Sequence, residues 1–184
     1  MANRYMGIVL PLSLIAVSST VSTSFTDPIN APKLFVLIIS AFMVSYGIYL
    51  NRKLILDSNF RSIVLMIGLF SLGFCVSGFF SNTSIYRLLI GTSNRNNGLG
   101  AYLSLGIFFL GGYIYASKLK SISIVKVLAL FGGVQSIYGL FQSWNLDFLK
   151  YSYAGNPVVL TFGNENFSST FLVLGAIASL FMFF

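Results

Sequence analysis

One feature dominates this sequence: long apolar stretches recur along it, each close to the length of a membrane-crossing helix and each closed by a short polar break. Crossing the ~30 Å hydrocarbon core of a bilayer takes ~20 residues at the rise of an α-helix, within a range of about 17–25. Six stretches qualify, at Tyr5–Val21, Pro32–Leu50, Ile63–Phe80, Leu99–Ser117, Ile122–Ser143 and Phe167–Phe184. Residues 1–184 are therefore expected to form a single transmembrane domain, an all-α polytopic bundle of about six spans. Pro32 suits the first turn of its helix, where a missing N–H costs nothing. Pro11, inside the first stretch, predicts a kink.

Composition excludes the soluble alternatives. Soluble domains carry about 25% charged residues to face water. Here only 8% of the 184 residues are charged, 11 Lys+Arg and 4 Asp+Glu, against 56% hydrophobic. The formal charge of +7 does not indicate a nucleic-acid partner, because the basic residues stand singly or in pairs between apolar runs instead of lining one face. Histidine is absent, which removes a histidine base or metal ligand, and Cys75 is the lone cysteine. The first stretch is longer than the ~7–15 residue apolar core of a signal peptide and is expected as a retained span.

Orientation follows from Lys and Arg counted by alternate breaks. One set holds Arg4, Arg52, Lys53, Arg61, Lys118, Lys120 and Lys126; the other holds Lys33, Arg87, Arg95 and Lys150. The richer set belongs inside, which places the N-terminus in the cytoplasm and the breaks after spans one, three and five outside. Lys126 lies just within its span and can snorkel to the interface. Tyr46, Tyr49, Tyr113, Tyr115 and Trp144 stand near span ends, where an aromatic belt is expected.

The outer breaks hold the chemically distinctive residues. Ser81–Gly98 reads SNTSIYRLLIGTSNRNNG, and its Ile85–Ile90 segment is too short to span, so it belongs in the interface or dips back toward the helices. Asn145–Asn166 carries Tyr151, Tyr153, Asn156-Pro157 and a Gly-Asn-Glu-Asn run leading into the last span.

Three of these places resemble the bacterial O-antigen ligase and polymerase family of integral membrane glycosyltransferases. They are Asp27-Pro28 … Pro32-Lys33 entering span two, Gly91-Thr92-Ser93-Asn94-Arg95-Asn96-Asn97-Gly98-Leu99 before span four, and Thr161-Phe162-Gly163-Asn164-Glu165-Asn166-Phe167 before span six. The resemblance covers essentially the whole chain and matches the family's N-terminal part. Glu165 stands where the family usually has Pro. The family's functional histidine and its large external loop come later in the chain, so these 184 residues are expected to be the first half of a larger membrane protein. The resemblance implies metal-independent transfer of a glycan from a polyprenyl-diphosphate carrier to a lipid or glycan acceptor, on the outer face of the bacterial inner membrane, without a cofactor.

Under that resemblance, Arg87 and Arg95 are the candidate cations for a diphosphate, because guanidinium is a planar fork of donors that stays charged at any working pH. Asn164 and Asn166 open the last span, where free N–H groups favour an anion. Glu165 is a candidate for a sugar hydroxyl or for pairing with Arg95. Each has a structural alternative: interfacial anchors for the arginines, helix caps for the asparagines, and a first-turn acid favoured by the helix dipole for Glu165. Gln135 and Gln142 share a face of span five, either lining a groove or making interhelical hydrogen bonds; Gly73-xxx-Ser77 and Gly175-xxx-Ser179 read as packing pairs. A non-enzymatic membrane component, such as a transporter half or an assembly subunit, is the competing class. No acid or arginine lies mid-span, which disfavours ion-coupled transport.

Overall fold

The computed structural model describes residues 2–22, 24–25, 27–53, 57–92, 95–118, 122–148 and 158–183. Among them it is all-α, with α1 Ala2–Ser19, α2 Asn30–Leu50, α3 Ser58–Phe80, α4 Ile85–Ile90, α5 Leu99–Lys118, α6 Ile122–Ser143 and α7 Glu165–Phe183, and no strand. Five of these helices (α2, α3, α5, α6 and α7) are long and apolar enough to cross a membrane. The protein is thus a multi-pass membrane protein. The first expected span is helical from Tyr5 to Ser19, Pro11 included, and the helix stops two residues short of Val21. It falls outside the five on apolar content, since its 18 residues include Asn3, Arg4 and Pro11. The chain divides into two compact units, Met1–Lys120 and Ser121–Phe184.

In the first unit, α1 and α2 run antiparallel. Tyr5 Oη donates to the Met43 carbonyl at 3.2 Å, and its ring meets Tyr46 edge-on at 5.4 Å. At the other end, Lys33 Nζ donates to the Ser18 carbonyl at 3.1 Å, a cation placed on the last turn of α1. Gly47 makes the close approach possible, because a Cβ there would lie 2.8 Å from Met6 Cε. Helix α5 lies along α2 in the same direction, with Gly100 toward Ile38 and Gly111 against Val44. Helix α3 runs antiparallel to α5, pairing Phe60 with Tyr113, Ile67 with Gly106, and Phe70 with Tyr102. Met6, Leu10, Val44, Ile114 and Tyr115 form the fully enclosed core.

Asp57 closes the start of α3. Its carboxylate accepts the Asn59 amide at 3.2 Å and the Tyr113 hydroxyl at 2.5 Å, tying the start of α3 to the end of α5. The Tyr113 hydroxyl above all, then the Asn59 amide and the nearby Arg61 charge, hold this carboxyl below the usual carboxylate range.

The expected aromatic belt is partly corrected. Tyr46, Tyr49 and Trp144 are exposed as a belt requires, whereas Tyr115 is 2% exposed and Tyr113 is engaged by Asp57. A tyrosine one turn from a helix end has as much reach inward as outward, and here the inward partners exist. Gly73 has open space above it and Ser77 is exposed, so this pair packs nothing among the described residues.

The second unit is an antiparallel hairpin of α6 and α7. Its helices touch backbone to backbone: a Cβ on Gly132 would lie 2.8 Å from Gly175 Cα, and one on Gly175 would lie 2.9 Å from Gly132 Cα. Small residues permit such approaches in membranes, where packing replaces the hydrophobic drive. Gly175 is thus a packing position, and its contact is Gly132; Ser179 only returns a hydrogen bond to the Gly175 carbonyl at 2.9 Å. Phe131 and Phe171 meet edge-on at 5.4 Å beside the glycines.

Candidate functional site

Each of the three resembling stretches forms a tightly held corner at a helix boundary. At the entry to α2, Asp27 Oδ1 accepts the Ile29 and Asn30 amides at 3.1 and 2.9 Å, satisfying two backbone donors where the helix begins. The Pro28 carbonyl accepts the Ser22 amide at 2.9 Å, and Pro32 is buried in the first turn. Together with the Lys33 bond to Ser18, these contacts lock the connection from α1 to α2.

The second corner joins α3 to α5 at the same end of the first unit, as the alternating helix directions require. Ser84 caps α4 by accepting the Arg87 amide at 3.4 Å. The chain then reverses. The Gly98 amide donates to the Ile90 carbonyl at 3.1 Å, and the Arg95 and Asn96 amides donate to the Thr92 carbonyl at 3.1 and 3.0 Å. Two glycines are dictated by this geometry. Gly91 has φ +99° and a Cβ there would lie 2.4 Å from the Asn97 nitrogen; one on Gly98 would lie 2.4 Å from the Leu89 carbonyl. Asn96 sits in the left-handed region at φ 49°, where Asn is the non-glycine residue most at ease.

This corner leaves Arg87 and Arg95 exposed, and neither guanidinium has a partner among the described residues. Arg87 lies in the last turn of α4, and Arg95 lies on the loop that folds back against that turn. Ser93 and Asn94 of this stretch lie outside the described residues.

The third corner belongs to the second unit. Asn164 Oδ1 accepts the Asn166 amide at 2.9 Å, so Asn164 caps α7, as the alternative reading of this residue expected. Gly163 has φ 70° and its amide donates to the Val159 carbonyl at 3.1 Å. Buried Ser168 Oγ reaches back to the Val159 and Asn164 carbonyls at 2.5 and 2.9 Å. Phe162 packs on Phe171 at 4.9 Å. Glu165 and Asn166 are exposed at the head of α7. Arg87 and Arg95 thus stand in the first unit, and Asn164, Glu165 and Asn166 in the second. Lys150, Tyr151, Tyr153, Asn156 and Pro157 lie outside the described residues.

The two glutamines of α6 hold this corner in place. Gln142 Oε1 accepts the buried Leu160 amide at 2.7 Å, while its Nε2 donates to Tyr138 Oη at 3.1 Å and to Asp147 Oδ2 at 3.0 Å. Tyr138 Oη in turn donates to Asp147 Oδ1 at 2.6 Å. Gln135 Nε2 donates to Thr161 Oγ1 at 3.1 Å. The glutamine bonds therefore run from α6 to the segments beyond its end and, for Tyr138, within α6, not from helix to helix. Leu160 itself is fully buried at φ 51°, a left-handed conformation that costs a β-carbon residue roughly 1–2 kcal/mol. Its side chain fills the notch above Gly139, where a Cβ would lie 2.9 Å from Leu160 Cδ2.

The Tyr138–Gln142–Asp147 cluster was missed as a unit by sequence reasoning. The signal was present in the i, i+4 spacing of Tyr138 and Gln142, with the acid one turn past the helix end. Among the described residues, no three of His, Cys, Asp and Glu converge as a metal site would require. Compared with protein-family models, curated proteins and solved structures, the chain matches none.

Proposed function

We propose that this protein is a membrane glycosyltransferase component of the O-antigen ligase and polymerase type. It would engage a polyprenyl-diphosphate-linked glycan on the outer face of the bacterial inner membrane, with its N-terminus in the cytoplasm and a lipid or glycan as acceptor. The reading rests on the resemblance of the three corner stretches. The observation that carries it furthest is the pair of exposed guanidiniums, Arg87 and Arg95, on one corner with no acid to neutralise them among the described residues. Two forked cations suit a diphosphate, whose oxygens accept bidentate hydrogen bonds from arginine. Fixed cations also lower the cost of the charge that develops on the departing diphosphate oxygen when a sugar is transferred from it.

Within this reading Arg95 is the first ligand and Arg87 a second cation. Asn164 is a positioning residue, since its side chain is committed to the start of α7.

The test is Arg95→Ala in the full-length protein of the native host. The side chain is exposed and has no hydrogen-bond or ion-pair partner among the described residues, so membrane insertion and amount stay at wild-type levels. Surface glycan attachment falls by a factor of about 10² or more, as expected for loss of a charge-stabilising contact. Arg95→Lys restores only part of it, because an ammonium lacks the planar fork. Normal glycan display by Arg95→Ala would overturn the assignment and favour a non-enzymatic membrane component.

A further inference from the structure

The hairpin carries a second feature that none of the three corner stretches touches. A shallow groove of about 560 Å³ runs along one face of α6 beside Met182 of α7. Its floor is Gly133, where an added Cβ would meet nothing within 4 Å, together with Ala129. Its walls are Leu130, Val134 and Ile137, which are 73%, 54% and 57% exposed. Lys126 closes one end. The positions 126, 130, 133–134 and 137 recur at helical spacing and therefore share a face.

We propose that this groove holds one acyl chain of an anionic phospholipid, with the lipid phosphate on the Lys126 ammonium. Three observations point to that occupant. From residue 126 to residue 137, α6 rises about 16 Å, close to half of the ~30 Å hydrocarbon core, so the groove has the depth of one leaflet. The cation stands at the groove's end, one turn inside α6, where a snorkelling lysine reaches the phosphate level and leaves the apolar channel below it. Lys126 also has no acidic partner among the described residues, so its charge awaits an anion. Basic sites between membrane helices take anionic head groups by the same balance of charge and apolar burial.

The test uses the whole chain purified in mild detergent and titrated with phosphatidylglycerol or phosphatidylcholine, with retained lipids counted by native mass spectrometry. The wild type retains one phosphatidylglycerol in preference to phosphatidylcholine. Lys126→Gln lowers that preference about fivefold, the equivalent of one lysine's attraction at an anionic surface. Gly133→Leu fills the floor and abolishes retention of either lipid at this site. It replaces a glycine by a stronger helix former pointing into open space, so the hairpin stays folded. Equal retention of the two lipids by the wild type, or undiminished phosphatidylglycerol on both variants, overturns the proposal. So does a dimer that Gly133→Leu converts to monomer without changing the lipid count, since the groove would then seat a second copy of the chain.

Discussion

Gln142 is the residue on which most of the polar structure of the second unit converges. It satisfies a buried backbone amide with one atom and joins Tyr138 to Asp147 with the other. Replacing it with leucine orphans the Leu160 N–H inside the hairpin, and an unsatisfied buried donor costs about 1–3 kcal/mol. Gln135 differs, because its Oε1 is buried without a partner among the described residues and it contributes one bond between neutral groups. Gln135→Leu removes an unmet acceptor along with that bond and is expected to stay within about 1 kcal/mol of wild type. Thermal unfolding in detergent micelles, followed by the single tryptophan, Trp144, checks the order: Gln142→Leu melts well below Gln135→Leu. Equal melting temperatures would refute the distinction. The sequence singles out both glutamines, since a long amide in an apolar run needs a partner. It does not disclose that the partners lie on a turn, because the turn's reversal depends on Leu160 adopting a left-handed conformation, and leucine gives no sign of that.

At the scale of elements, the helices were legible and their ends less so. Apolar length locates every long helix. Helix α3 begins at Ser58, five residues before the apolar run, because Asp57 caps it there. Helix α7 begins at Glu165 because Asn164 caps it. Polar residues that look like loop from hydropathy are thus the first turns of helices. The Asp57–Tyr113 bond joins α3 to α5, and it has a pH signature. A carboxyl held below its ordinary pKa stabilises the fold above that ordinary value, near 3.9, and loses the contribution as pH falls through the lowered value. Tyr113→Phe removes the main cause of the lowering. The variant should therefore show a shallower fall in stability with acidification below about pH 4 than the wild type. Parallel stability–pH curves in micelles would argue that the bond contributes nothing.

For the whole molecule, the alternation of helix directions in the first unit puts the Asp27–Lys33 and Arg87–Gly98 corners at one end, and the start of α3 with the end of α5 at the other. Counting charges by alternate breaks reaches the same division from the sequence, because lysine and arginine follow the side on which a segment stays during insertion. Cysteine labelling in intact cells tests the orientation. In a Cys75→Ser background, Arg95→Cys and Asn166→Cys should react with a membrane-impermeant maleimide, whereas Arg61→Cys should react only after permeabilisation. Labelling of residue 61 from outside would invert the topology and remove both arginines from the outer face. The packing of Tyr115 into the core and the bare surface of Gly73 were not legible, because hydropathy says that a helix is apolar and not which side its neighbours occupy.

The contacts that fix the third corner also have an order in time. A ribosome delivers α6 to the membrane before residues 158–163, and those residues before α7. The anchors that receive the turn (Gln135, Gly139 and Gln142) are all in place on α6 by the time Leu160 and Thr161 emerge. The turn that starts α7 therefore docks onto a helix that has already left the ribosome, and Ser168 closes the lock from the α7 side as its first turn winds. All of these contacts lie within the hairpin itself, so α6 and α7 can enter the bilayer as one folded unit.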